Sequence, residues 1–316
     1  MKVEIINKGL MSLIIDGGRV GSQQDGFCQS GPMDETAYRW ANFIAFNMDN
    51  TPCLEVIGHL SFRVSEACAI AATGRDVTLT VNGKKQQSYA TVILKQSDEV
   101  TVGSATLGCK AYLAICGNWR VPHIVGSVCT VTREGLGGLC ANGKPLQQGQ
   151  CIEINANALT NITHDNLRLL PEALQPSYDL QVPINVIPGY QIDDFDRVAQ
   201  QLFTSSDYTV TSSIDRMGYR FSGPEVSSSL SNMRSEAIHI GAVQVPPDGQ
   251  PIVMMRDRQT LGGYPKLGCV NPLDINKLAQ AVPGEKVRFA FQNNEAARAQ
   301  CLLAAARERQ IQGDMI

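Results

Sequence analysis

Apolar and polar residues alternate with a period of two along most of the chain, and stretches with a helical period are few. Val77, Leu79 and Val81 alternate with threonines and run into Asn82-Gly83, a dipeptide that favours a tight two-residue hairpin turn. Further strands are expected over Thr91 to Leu94, Glu99 to Val102, Ala111 to Cys116, Ile184 to Ile187, Tyr208 to Thr211, Ile252 to Met255 and Lys286 to Phe291. Many short strands favour barrels or sandwiches over a doubly wound sheet. Helical spacing emerges at Ala37, Trp40, Ala41, Ile44 and Ala45, which predicts an amphipathic helix over 34–47 begun near Asp34. Phe195, Val198, Ala199 and Leu202 repeat that spacing, as do Ile275, Leu278, Ala279 and Val282. Each such helix is expected to plug the side or end of a barrel. The polar, proline-bearing stretch from Asn161 to Pro183 reads as a linker. The chain is therefore mainly β with a few helices. It divides into two β-rich, barrel-like halves, at 1–165 and 180–295, followed by a helical tail at 296–316.

Composition narrows the class. With 316 residues, 43% of them hydrophobic, the chain can bury a large core or two medium ones. A net charge of -3 with no basic run leaves no electrostatic footprint for nucleic acid. Lys2 and Glu4 open the chain and apolar runs are short, so neither a secretory leader nor a membrane span is expected and the cytoplasm is the expected compartment. The ten cysteines form no C-x-x-C pair and sit mostly among apolar or small residues, which reads as buried reduced thiols.

The densest chemistry lies in Asp257-Arg258-Gln259-Thr260-Leu261-Gly262-Gly263-Tyr264-Pro265-Lys266, directly after the apolar run Ile252 to Met255. A buried strand would deliver this cluster at its end, where scaffold meets loop. Gly262 and Gly263 permit positive φ or close approach of backbone to a ligand, and Pro265 stiffens the segment that presents Lys266. Asp215-Arg216-Met217-Gly218 forms a second charged cluster at the end of an expected strand. An arginine fork suits a carboxylate or phosphate, while a lysine supplies a mobile point charge.

Other motifs fail on their own chemistry. Gly138 to Lys144 has the G-x-x-x-x-G-K spacing, yet Pro145 stands where a phosphate-binding loop needs Ser or Thr. Asn161-Ile162-Thr163 matches a glycosylation acceptor that has no meaning without secretion. His59, His123, His164 and His239 are too scattered to form a metal cluster, and no metal site is expected.

Read with its flank from Ala242 to Val253, the Asp257 to Lys266 block resembles the signature of the family formed by the C-type subunits of bacterial 5-oxoprolinase. That family takes in allophanate hydrolase subunit 2 and the Kip-inhibitor antagonist, and is similar to the carboxyltransferase domain of urea amidolyase. Other family segments follow in order: Ser30-Gly31-Pro32-Met33-Asp34, Ala41-Asn42, Leu54-Glu55, Thr73-Gly74, Tyr112-Leu113-Ala114, Gly126-Ser127, Gly137-Gly138, Ser213 to Gly218 and Pro283-Gly284. The resemblance covers about residues 9–291.

It implies a cyclophilin-like barrel in the second half and an ATP-dependent conversion of 5-oxoproline to L-glutamate. The B-type and C-type subunits would activate the lactam, and the A-type subunit would assist its opening. ATP, with or without Mg2+, is the implied cofactor, and B-type (Kip-inhibitor-like) and A-type subunits are the implied partners. Lys266, Asp257, Arg258, Asp215 and Arg216 are the catalytic candidates, able to hold an acyl-phosphate or carboxylated intermediate. Gln244 and Gln259 would read a lactam or ureido amide. Tyr264, Gly262 and Gly263 complete the substrate side, with Ser30, Asp34 and Asn42 facing the site from the first half. An Asp215-Arg216 ion pair closing the barrel is the alternative for that pair, and Asp34 serves equally well as a helix cap. Two other functions stay open: a biotin-dependent carboxyltransferase acting on urea or a similar amide, and a regulator that sequesters a Kip-inhibitor-like partner without turnover.

The sequence also departs from the family pattern. Ile14-Ile15-Asp16-Gly17-Gly18-Arg19 stands in place of Val-Gln-Asp-Leu-Gly-Arg, Leu261 in place of a threonine, Asn118 in place of a glycine and Gln150 in place of an aspartate. Such changes suit a divergent paralogue.

Overall fold

The computed structural model describes residues 1–155, 162, 166–230 and 233–315. The chain forms two compact units: Met1–Val20, Ser30–Ser177 and Gln312–Ile316 make the first, and Gly21–Gln29 with Tyr178–Ile311 the second. The change of unit at Ser177 falls within the 161–183 stretch; Asn161, Thr163 and His164 lie outside the described residues.

Among the described residues the first unit contains twelve strands: β1 (Lys2–Lys8), β2 (Met11–Ile15), β3 (Cys53–Ile57), β4 (His59–Val64), β5 (Cys68–Gly74), β6 (Val77–Val81), β7 (Lys84–Gln86), β8 (Val92–Leu94), β9 (Glu99–Ser104), β10 (Lys110–Ile115), β11 (Asn118–Trp119) and β12 (Cys151–Asn155). They build a seven-stranded sheet, β11-β12-β1-β4-β9-β6-β7, and a five-stranded sheet, β2-β3-β10-β5-β8. Alternate residues of both sheets, among them Ile5, Phe62 and Val102 from the larger and Ile14, Leu54 and Leu113 from the smaller, form one buried cluster. Each such side chain contributes about 1.5–3 kcal/mol when fully buried. The β6–β7 turn is the expected hairpin, with Asn82 at φ 49 and Gly83 at φ 75.

Helix α1 (Glu35–Ile44) buries Ala37, Trp40, Ala41 and Ile44, as the sequence spacing required. It begins where Asp34 Oδ1 accepts the Ala37 N–H at 3.0 Å. Thr73 Oγ1 of β5 donates to the Ala37 carbonyl at 2.6 Å and ties the helix to the smaller sheet.

The second unit contains β13 (Ile184–Pro188), β14 (Tyr208–Ile214), β15 (Gly218–Ser222), β16 (Glu236–Ala237), β17 (Ala242–Gln244), β18 (Ile252–Met254), β19 (Leu261–Gly262), β20 (Lys266–Val270), β21 (Lys286–Val287) and β22 (Phe289–Phe291). Eight of these form one sheet in the order β21-β14-β15-β18-β17-β20-β13-β22, and β16 pairs with β19 as a separate ribbon. The expected single strand over 286–291 is two strands. Val287 pairs with Tyr208 of β14, while Phe289 pairs in parallel with Ile184 of β13. The two edges of the sheet are thus consecutive segments of chain joined at Arg288, and the sheet nearly closes into a barrel.

Helix α2 (Arg197–Ser205) starts at Asp196, whose Oδ1 accepts from Ala199 N at 2.7 Å. Its buried residues are Ala199 and Phe203, whereas Val198, expected on the inner face, is 74% exposed. Phe203 stacks on Phe289 at 4.7 Å and so covers the barrel wall beside the closing strands. Helix α3 (Pro272–Ala279) buries Ile275, Leu278 and Ala279, and Val282 lies beyond its end. Helix α4 (Asn294–Asp314) follows. Among the described residues no helix is long and apolar enough to cross a membrane. All ten cysteines are free thiols; Cys140 and Cys151 are exposed, against the expectation of burial.

Candidate functional site

Strand β18 delivers its polar cluster inward. Past Met254 the chain remains paired with the β14–β15 turn, since Met255 N donates to Met217 O at 2.8 Å and Asp257 N to Arg216 O at 2.7 Å. This pairing sets Arg216 against Asp257. The guanidinium grips the carboxylate through Nε–Oδ2 at 2.8 Å and Nη2–Oδ1 at 2.9 Å, and both side chains are buried. The carboxylate that grips Arg216 is therefore Asp257, where the alternative reading places Asp215. Asp215 is exposed and its Oδ1 accepts from Met217 N at 2.7 Å and Gly218 N at 3.1 Å, a turn-closing role. Arg258 is 2% exposed and donates to the carbonyls of Ile238 at 3.0 Å and Met255 at 3.4 Å. Burial first, and neighbouring Arg256 next, push its guanidinium down to about 10.

Lys266 opens β20 opposite Gln244 of β17. Directly opposed residues in an antiparallel pair point to one face, so the two side chains are neighbours there. Lys266 Nζ donates to Glu236 Oε2 at 2.8 Å. The same oxygen accepts from Gln191 Nε2 at 3.3 Å and from the Tyr190 hydroxyl. Lys266 N is itself held by Gln191 Oε1 at 2.8 Å. The Lys266 ammonium lies 5.8 Å from the centre of the Tyr190 ring. Hydrogen bonds from Lys266 and then Tyr190 hold the Glu236 carboxyl below its usual range.

Gln244 differs from every other amide in this group. Its side chain is buried at 2% exposure, and among the described residues Nε2 has no hydrogen-bond partner. An orphaned buried donor costs about 1–3 kcal/mol, so its retention points to a ligand-facing role. Gly262 lies against it. A methyl group at that position would collide with Ile238 Cδ1 and sit 3.1 Å from Gln244 Nε2 and 3.2 Å from Gln259 Nε2. Neither Gly262 nor Gly263 has positive φ, so close approach is the property in use at Gly262. Leu261, where the family has a threonine, is 58% exposed, on the face of the strand opposite to Gly262.

A cavity of about 730 Å³ is lined by Gly263, Tyr264 and Pro265 together with Ser227, Arg234 and Pro246. Gln244 and Lys266 do not line it. They are marked instead by their chemistry, as donors buried behind the β16–β19 ribbon.

Ser30, Asp34 and Asn42 belong to the first unit. Ser30 is fully buried at φ 56. Asp34 caps α1, and Asn42 Nδ2 donates to Thr51 O at 3.0 Å. Three family segments meet at Asp34. Glu55 Oε2 accepts from Met33 N at 2.9 Å and from the Tyr112 hydroxyl at 2.8 Å, and that hydroxyl accepts from Asp34 N at 2.7 Å. Burial, reinforced by Glu55, pushes the Tyr112 phenol well up. Sequence reasoning singled out neither this network nor Tyr190, Gln191 and Glu236.

Gly138 to Lys144 is a run of turns with no helix after it, and Lys144 is exposed. The segment does not fit nucleotide phosphates, which need the amides of a helix start. Among the described residues no group of three or more His, Cys, Asp or Glu is placed to hold a metal ion.

Residues 25–291 match the family described as carboxyltransferase domain, subdomain A and B. The chain is 31% identical to the C subunit of 5-oxoprolinase from Escherichia coli (strain K12), over 91% of this chain and 90% of that protein. It superposes on the crystal structure of the K. lactis urea amidolyase with a TM-score of 0.86 at 26% identity, covering 98% of this chain and 20% of that one. The crystal structure of TTHA0988 matches with a TM-score of 0.80 at 28% identity, covering 92% of this chain and 55% of that one.

Proposed function

The chain belongs to the carboxyltransferase domain family, subdomain A and B, and on that premise we propose that it is the C-type subunit of an ATP-dependent, 5-oxoprolinase-like amidohydrolase. The complete assembly, with B-type and A-type partners, would convert 5-oxoproline, ATP and water to L-glutamate, ADP and phosphate. The similarity to the C subunits of two 5-oxoprolinases over nearly the full length of both proteins supports this reading. The free cysteines favour the cytoplasm as its compartment.

One observation carries the site assignment: Gln244 Nε2 is a buried donor with no partner among the described residues, cross-strand from a buried lysine. A five-membered lactam presents a carbonyl to such an amide, and the ligand's negative charge is balanced by the Lys266 ammonium. A donor that is already oriented and dry stabilises charge more than water does, because nothing must reorganise as the charge develops. Gln259, Gly262, Gly263 and Tyr264 shape the ligand side. Arg216, Asp257 and Arg258 hold the strand end in place, and Asp215 closes its turn. Ser30, Asp34 and Asn42 enter the site only on the strength of the family resemblance. ATP, when bound, supplies the activation that a stable lactam needs. The roles of Lys266 and Gln244 do not depend on which subunit holds the nucleotide.

Reconstitution tests the reading. The chain would be combined with B-type and A-type subunits, and 5-oxoproline-dependent release of ADP and glutamate measured. Turnover only by the complete set is the expected result. Robust turnover by the isolated chain, or none by the complete set, contradicts it.

The superposition of nearly all of this chain on 20% of the K. lactis urea amidolyase supports a second reading, carboxyl transfer from carboxybiotin to a urea-like amide. Biotin-dependent carboxylation of urea by the reconstituted complex, without lactam opening, would select it.

A further inference from the structure

The seat around Lys266 already holds a carboxylate. Glu236 Oε2 takes hydrogen bonds from Lys266 Nζ at 2.8 Å, from Gln191 Nε2 at 3.3 Å and from the Tyr190 hydroxyl. Donors from separate segments converging on one anionic oxygen are the arrangement by which proteins recognise carboxylates in general. Glu236 arrives from an unusual support. It sits on the two-residue strand β16, whose ladder partner is the equally short β19, and its side chain is 37% exposed while that of Lys266 is 10% exposed. The outer side of the ribbon is not covered by packing, since a cavity of about 330 Å³ there is lined by Ala237, Ile238, Thr260 and Leu261. Gly262 of the same ribbon lies against Gln244, whose Nε2 has no partner among the described residues. One short ribbon therefore covers both donors, satisfying Lys266 and leaving Gln244 unsatisfied.

We propose that Glu236 is an internal stand-in for the ligand: its carboxylate fills a seat for a small carboxylate-bearing molecule and leaves, with the β16–β19 ribbon, when that molecule arrives. The inference rests on the reading of Lys266 and Gln244 as ligand contacts and adds a specificity rule to it. A ligand must bring a carboxylate for Lys266, Gln191 and Tyr190, and a carbonyl for Gln244. A neutral amide without a carboxylate cannot displace Glu236. Competition by the internal carboxylate weakens apparent affinity by the fraction of molecules in which the seat is open. Removing it tightens binding.

The test uses the full-length chain and acylation of Lys266 by N-hydroxysuccinimidyl acetate, read by mass spectrometry with and without added acetate. Glu236→Gln is expected to acylate about tenfold faster than the wild type, since an amine freed of its paired carboxylate is more reactive. Acetate is expected to protect the variant at roughly a tenth of the concentration that the wild type needs. Tyr190→Phe removes one donor from Glu236 at a residue that is 75% exposed, so it keeps the fold and should give an intermediate shift. Equal protection of wild type and both variants overturns the proposal, as does no protection of any. 5-Oxoproline should protect Glu236→Gln better than acetate, and 2-pyrrolidinone, the same lactam without a carboxylate, should not protect. If acetate protects and 5-oxoproline does not, the stand-in holds and the 5-oxoproline reading falls. If 2-pyrrolidinone protects as well as 5-oxoproline, the stand-in falls.

Discussion

Two charged clusters share the signature segment of the second unit, and they differ in one respect. In the first, Arg216 and Asp257 answer each other through two hydrogen bonds, and Arg258 directs its donors to backbone carbonyls. In the second, Lys266 borrows a carboxylate from a short ribbon, and Gln244 Nε2 has no partner among the described residues. Residue type alone would rank the arginine cluster first for chemistry. Satisfaction reverses the order: a closed network builds a scaffold, and an open one is kept for something that is not part of the chain. The closed network also puts the open one in place, because it fixes the end of β18 from which the chain returns to Lys266.

The largest expected effect attacks the closed cluster. Asp257→Ala leaves the Arg216 guanidinium buried without its carboxylate and should cost about 3–5 kcal/mol of stability. Denaturant unfolding would measure this, and a loss below about 1 kcal/mol, the range of exposed pairs, would dissolve the distinction between the clusters. Gly262→Ala comes next, because the added methyl group meets Ile238 and the two glutamine amides. A stability loss of about 1–3 kcal/mol is expected, together with loss of ligand binding in calorimetry. Asp34→Ala removes the α1 cap and should cost about 1 kcal/mol, read by thermal unfolding. Activity lost well beyond that cost would return Asp34 to the site. Lys144→Ala is the smallest. It should change stability by less than about 0.5 kcal/mol and leave nucleotide affinity of the assembled complex intact, whereas lost affinity would revive the phosphate-loop reading.

Much of this was legible in the sequence where the determinants are local. Asn82-Gly83 announces its hairpin because both residues take positive φ. The α1 stripe is readable because Ala37, Trp40, Ala41 and Ile44 of its buried face are apolar and fall at helical spacing. The 286–291 strand was misread because strand period says nothing about partners, and this segment changes partner at Arg288 to close the barrel. Val198 was placed inside α2 by spacing alone, while the helix turns its Ala199–Phe203 side inward. The Arg216–Asp257 pair is not legible in the sequence, where Asp215 is the only adjacent carboxylate, because adjacency is visible there and register is not. Lys266 and Gln244 were legible as candidates. Glu236 was not, since a single glutamate thirty residues before Lys266 has no pattern to mark it; only the fold brings them together.

The most direct measurement of the central claim is Lys266→Ala, with turnover of the reconstituted complex and unfolding of the same variant measured side by side. If Lys266 balances ligand charge in an open cluster, turnover should fall by about 10²-fold, roughly 2.7 kcal/mol of barrier, while stability changes little. Lys266→Arg should recover only part of the activity, because a planar fork does not occupy the place of an ammonium. Full turnover by Lys266→Ala with its partners and substrate present would contradict the account, and so would a loss of activity explained entirely by unfolding.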